Sequence, residues 1–67
     1  MEDLRTTLEA ARDAYRRRDW PAVRAGFEHA RAGSELAADD LFQLSDAEWW
    51  LGHVDEAIGF AEAAYRL

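Results

Sequence analysis

The chain has 67 residues and no cysteine, which allows one small domain with a thin core and excludes a disulfide framework or a thiolate zinc site. Its net charge of −6 argues against nucleic acid as the partner of this segment, because affinity for phosphate backbones comes from clustered cations. Apolar runs are only a few residues long and the start MEDL is acidic, so we expect a cytoplasmic chain without a membrane span or signal peptide.

A first helix is predicted from about Glu2 to Arg18. Its apolar stripe has helical spacing and consists of Leu4, Leu8, Ala11 and Tyr15. Three arginines, residues 16–18, end this helix, where cations complement the negative end of the helix dipole. An anion-binding patch is the functional alternative for this run.

A second helix is predicted after Asp19, which is placed to cap it, with Pro21 in its first turn. Its stripe is Val23, Phe27 and Ala30. Gly33 is expected to end this helix as a C-cap.

A third helix is predicted from about Ala37 to Leu51, and a fourth from the break at Gly52 to the end of the chain. Gly52 suits a left-handed cap, and Asp55 and Glu56 are acidic in the following first turn. No β-branched run or hairpin turn signal is present, so the predicted fold is all-α, with two antiparallel helix-turn-helix hairpins. The expected core is Leu8, Ala11, Tyr15, Val23, Phe27, Ala30, Leu41, Leu44, Ala47, Ala57 and Ala61.

The two hairpins also form an internal repeat. A shift of 34 residues superimposes the two predicted turns and places Glu28 on Glu62 and Ala30 on Ala64. The segment LSDAEWWLGHVDEAIGFAEAA, residues 44–64, resembles the body of a tetratricopeptide repeat (TPR), a family of two-helix units with this period. Residues 4–37 and 38–67 are then the two units of one domain.

The first unit keeps the TPR second-helix pattern in RDWPAVRAGFEHA. It has Thr7 and Ala10 in place of the paired leucines, and Arg18 in place of the turn glycine. In the second unit Glu48 replaces a customary aromatic residue. A small self-associating four-helix bundle therefore remains open beside a fragment of an α-solenoid.

The resemblance implies a non-catalytic protein-interaction module, in which the first helix of each unit lines a groove for a peptide or a partner helix. Aromatic residues and arginine often anchor interfaces. The groove positions implied are Arg5, Leu8, Arg12, Tyr15, Arg16, Asp39, Phe42, Asp46, Trp49 and Trp50. Because neighbouring helical residues point about 100° apart, one of the two tryptophans is expected to pack on the first hairpin.

The stretches RRRDWPAVRAGFEHA and AEWWLGHVDEAIGFAEAAYRL are also similar to helical repeat regions of large regulators from GC-rich bacteria. An arginine-only, alanine-rich composition is typical of such genomes. This similarity implies an N-terminal piece of a regulator's solenoid, with any DNA binding or ATP hydrolysis located elsewhere in that protein.

Charge and length favour self-association as the second hypothesis. Residues 1–33 carry seven arginines and six acids, and residues 34–67 carry one arginine and eight acids, so their net charges are +1 and −7. Two units are fewer than the three or so that helical arrays usually need. We therefore expect a homodimer, or further repeats, that covers Tyr65 and Leu67 and one of the two tryptophans.

Enzyme chemistry has few candidates. His29 and His53 lack the i, i+4 partner of a helical metal site, and no phosphate-binding glycine loop is present. No catalytic residue, metal or cofactor is predicted.

Overall fold

The computed structural model describes residues 3–66, and this part of the chain is helical apart from two turns, a short extended connection at residues 34–37 and its ends. The four helices are α1 (Leu4–Arg16), α2 (Trp20–Gly33), α3 (Ala38–Trp50) and α4 (Val54–Tyr65). The predicted all-α fold with two hairpins is thus confirmed. Helices α1 and α3 are shorter than predicted, because the residues just after Arg16 and Trp50 belong to the turns.

Side-chain caps explain where the first hairpin's helices begin. Asp19 accepts a hydrogen bond from the Ala22 amide (3.4 Å), as predicted, and Pro21 lies in the first turn of α2. Asp3 caps α1 in the same way through the Arg5 amide (3.4 Å). The predicted glycine C-cap at Gly33 is wrong: α2 ends through Ser34, whose backbone is extended, and Gly33 keeps a negative φ.

The two hairpin turns are built by the same hydrogen bonds, 34 residues apart. In each turn three successive amides donate to the carbonyls four, three and five residues earlier. These amides belong to Arg17, Arg18 and Asp19 in the first turn and to Leu51, Gly52 and His53 in the second. The middle residue has a left-handed backbone in both, with φ of 60° at Arg18 and 85° at Gly52. The sequence repeat is therefore also a repeat of backbone geometry.

The core lies between the two hairpins and is made of small and aliphatic residues around one aromatic ring. Eight of the eleven predicted core residues are buried, with Phe27 and Leu44 fully enclosed. The other three are only half-buried, because they lie at the edge of the core and one side of each is open to solvent. These residues are Leu8, Tyr15 and Ala61. Ala14, Leu36 and Ala64 are buried in addition.

The helices form an open row. Helix α1 packs on α2, α2 on α3, and α3 on α4, and α1 also touches α3. Within residues 3–66, α4 makes no close backbone contact with α1 or α2. The side of the second hairpin that faces away from the first therefore has no helix against it.

No helix between residues 3 and 66 has the length and apolar character needed to cross a bilayer.

Candidate functional site

The adjacent tryptophans at the end of α3 serve two different surfaces. Trp50 is 64% exposed and stacks on Trp20 of α2, with ring centroids 6.1 Å apart and planes inclined by 11°. Trp49 is 56% exposed and lies beside Ile58 of α4. The angle between neighbouring helical residues thus directs one indole towards the first hairpin and the other along the second.

We call the first of these surfaces the α1–α3 depression. It has a volume of about 420 Å³, and its lining consists of Tyr15, Arg18, Trp20, Asp46 and Trp50. The edge of Tyr15 meets Trp20 at 5.8 Å, and the guanidinium of Arg18 lies 5.3 Å from the Tyr15 ring and 5.9 Å from the Trp20 ring. Three rings, one cation and one carboxylate therefore share a single open surface.

One hydrogen bond ties α1 to α3 inside this depression. The Tyr15 hydroxyl donates to Asp46 Oδ2 at 2.5 Å. This bond to a carboxylate, helped by partial burial, raises the pKa of Tyr15 above its ordinary value. The phenol therefore remains protonated, and able to donate this bond, to a higher pH than an ordinary tyrosine.

The second surface, the α3–α4 depression, lies on the other side of Asp46. It has a volume of about 310 Å³, and its lining consists of Ser45, Asp46, Trp49, Ala57, Ile58 and Ala61. The Ser45 hydroxyl donates to the Ala57 carbonyl at 2.7 Å, which draws α3 and α4 together at its floor. At its end Phe42 meets Tyr65 edge to face, with centroids 5.4 Å apart.

Arg12, a predicted groove residue, already has a partner within the chain. Its guanidinium donates through Nε and Nη2 to the two carboxylate oxygens of Asp40, each at 2.8 Å. The Asp40 side chain is almost fully buried. Its hydrogen bonds with Arg12 raise the pKa of the guanidinium above its ordinary value. Arg12 therefore holds α3 on α1 and is not available to a ligand without breaking that pair.

Glu48 is the centre of a second buried ionic contact. Its side chain is 1% exposed, and its Oε1 lies 2.8 Å from Arg24 Nε and 2.9 Å from His53 Nδ1. The sequence pattern identified Glu48 only as a replacement for an aromatic residue. The burial of Glu48 could have been predicted only from the presence of a possible ion-pair partner, Arg24, on the helix that faces it.

The remaining predicted positions differ in their surroundings. Arg5 and Arg16 are exposed on α1 beside the acids Glu9 and Asp13, and Asp39 is exposed at the start of α3. Leu8 packs against the core. Tyr65 is 81% exposed, and Leu67 lies outside the described residues.

Sequence reasoning missed Trp20 and Ile58 as site residues, and it considered Arg18 only as part of a possible anion-binding run and not beside aromatic rings. Arg18 was assigned to the helix end and Trp20 to the start of α2, although an aromatic residue next to a predicted turn was a usable signal.

The two depressions offer aromatic and aliphatic side chains together with the Asp46 carboxylate. Such a lining is suited to binding a ligand that has apolar and polar groups. No group of three or more potential metal ligands occurs in the described part of the chain.

Comparisons of the chain with protein-family models, with curated proteins and with solved structures gave no match.

Proposed function

We propose that this chain is a non-catalytic protein-interaction module of the TPR type, which binds a peptide or a partner helix along α1 and α3. The observation that carries the proposal is Trp50, an indole 64% exposed beside Tyr15 and Trp20. Exposed clusters of apolar side chains often mark interaction sites, and tryptophan and tyrosine are among the residues that most often anchor interfaces.

The charges around the α1–α3 depression indicate what such a peptide carries. Arg16 and Arg18 lie on the side of the first hairpin, and Asp39 and Asp46 on α3. A segment with both signs of charge and an apolar anchor between them matches this arrangement. The helical-repeat part of a cytoplasmic bacterial regulator is the setting we propose for it.

A peptide selection tests this function directly. A phage-displayed library of random peptides is selected on the purified chain, and the affinity of the recovered peptides is measured for wild type, Trp50→Ala and Val54→Ala. We expect Trp50→Ala to weaken binding by about tenfold or more, as removal of an interface anchor does. Val54 is exposed but lines neither depression, so Val54→Ala should bind normally. Peptides that bind both variants alike would contradict the proposal.

Self-association is the second candidate, and the exposure of Tyr65 favours it. A homodimer would cover Tyr65, Leu67 and one of Trp49 and Trp50, in keeping with the preference of oligomers for closed symmetry. Sedimentation equilibrium at micromolar concentration measures this directly. A dimer that Tyr65→Ala weakens supports this candidate, and a folded 7.6 kDa monomer eliminates it.

A further inference from the structure

One face of the second hairpin is an uncovered apolar surface formed by two helices. We call it the α3–α4 face, and its residues are Phe42, Ser45 and Trp49 of α3 and Ile58, Ala61 and Tyr65 of α4. On each helix two large residues stand seven positions apart with a small residue between them. The small residues lie at the α3–α4 depression, so the face has the shape of a groove with bulky ends.

The internal repeat shows what lies on the equivalent face of the first hairpin. Counting back 34 residues gives Leu8, Ala11, Tyr15, Arg24, Phe27 and Arg31. Helix α3 lies along this face: Tyr15 donates to Asp46, Arg24 donates to Glu48, and Phe27 belongs to the same buried cluster as Leu44. The surface that is exposed in the second hairpin is therefore a helix-docking surface in the first.

The α3–α4 face and the equivalent face of the first hairpin carry different charges, and this difference indicates which kind of helix would bind to the α3–α4 face. In the first hairpin, Arg12 forms an ion pair with Asp40 of α3, and Arg24 forms one with Glu48 of α3. Asp46 and Ile58 stand at the positions 34 residues later. A helix docked in the same way would meet a carboxylate where α3 meets Arg12, and an aliphatic side chain where α3 meets Arg24.

We propose that the α3–α4 face binds an amphipathic helix of a partner protein, with a basic residue opposite Asp46 and an apolar residue opposite Ile58. This site lies on the other side of α3 from the groove along α1 and α3, and the two share only Asp46, which lines both depressions. An acidic helix such as α3 is unfavourable here, because its carboxylates would face Asp46 and a hairpin whose residues 34–67 carry a net charge of −7. The same like charges disfavour a symmetrical pair of two copies through this face, so the present proposal and the homodimer described above are alternatives.

Two peptides that differ only at the two informative positions test the proposal. The first probe is a synthetic, fluorescein-labelled peptide of residues 37–51 that carries Asp40→Arg and Glu48→Leu. The second is the same peptide with its native sequence. Fluorescence anisotropy with the full chain should show the changed peptide binding at least about tenfold more tightly.

Variants of the chain locate the binding surface. Ile58→Glu should abolish binding of the changed peptide, and Val54→Glu, an equally drastic change at an exposed residue of α4 outside the depression, should leave it unchanged. Asp46→Arg should reverse the preference in favour of the native peptide, since it restores the charge found at Arg12. Circular dichroism establishes that each variant remains helical.

Three results would overturn the proposal. They are no preference for the changed peptide, binding that survives Ile58→Glu, and a wild-type dimer that Ile58→Glu dissociates, which would identify a second copy as the occupant. Trp50→Ala, the variant that tests the groove, leaves the α3–α4 face intact, so the two proposals fail independently.

Discussion

The two hairpin turns place different residues in the same left-handed backbone conformation. Gly52 adopts it without steric cost, whereas Arg18 carries a side chain at φ 60°, which costs about 1–2 kcal/mol. The Arg18 guanidinium lies over the rings of Tyr15 and Trp20, and cation–π contacts of this kind stabilise by about 0.5–1 kcal/mol each when exposed. The arginine thus offsets part of its backbone strain.

The glycine of the second turn gives a direct test of this strain. Gly52→Ala should lower the free energy of unfolding by about 1–2 kcal/mol, because a residue with a Cβ is strained at φ 85°. The strain is conformational and not a clash, since the added Cβ would meet no atom beyond the neighbouring residues within 4 Å. Gly33→Ala is the matched control, since Gly33 has the same open space and an ordinary φ. Urea unfolding measures both, and equal stabilities would contradict the assignment.

The buried carboxylate of Glu48 depends on its partners. Arg24→Ala removes the arginine and leaves His53 as the remaining contact, so we expect a loss of about 1.5–3 kcal/mol, the range for a hydrogen bond to a charged group. Glu48→Leu together with Arg24→Ala removes the whole pair and should cost less than the sum of the two single changes. Additive losses in thermal or urea unfolding would show that the pair is not coupled.

At the scale of the helices, local signals in the sequence were sufficient for most of the fold. The Asp19 cap, Pro21 and the left-handed Gly52 each act on the backbone within a few residues, and their consequences were predictable. Gly33 failed as a signal because the extended Ser34 ends α2 without a left-handed residue. The candidate site was less predictable, since the stacking of Trp20 on Trp50 joins residues 30 positions apart and depends on how the hairpins pack.

Helix α2 packs tightly on α1 at a glycine. A Cβ placed on Gly26 would lie 2.8 Å from the Cβ of Ala11, so Gly26→Ala must push the two helices apart. We expect a loss of about 1–3 kcal/mol, as overpacking usually costs. Gly59→Ala is the control: Gly59 is also helical, but a Cβ added there would meet no atom of another helix within 4 Å, and the substitution should stabilise α4 by up to about 1 kcal/mol. A stabilised Gly26→Ala variant would show that the contact is looser than described.

At the scale of the whole molecule, the two hairpins are joined by polar contacts around the core. Tyr15 to Asp46, Arg12 to Asp40 and Arg24 to Glu48 each connect the first hairpin to α3. The two sides of α3 differ in chemistry, because Asp40 and Glu48 pair with arginines of the first hairpin, whereas Phe42 and Trp49 are exposed on the other side. The orientation of one hairpin on the other is therefore set by charge as well as by shape.

The Tyr15 contact predicts a dependence of stability on alkaline pH. Because the pKa of Tyr15 is raised in the folded chain, its stabilising contribution is complete below the ordinary tyrosine pKa of about 10 and is lost as the pH rises through the higher folded value. Wild type should therefore lose more stability than Tyr15→Phe when urea unfolding is compared at about pH 9 and about pH 11. Equal losses would mean that the hydrogen bond to Asp46 contributes nothing in solution.

The open row of helices also has a kinetic consequence. Each helix packs mainly on its neighbour in the chain, so the loops that must close during folding are short and the contact order is low. Proteins of this kind cross the folding barrier on a timescale on the order of microseconds to milliseconds. Either hairpin can form first and serve as the template for the other, so we expect temperature-jump relaxation of this chain to be fast and governed by hairpin association.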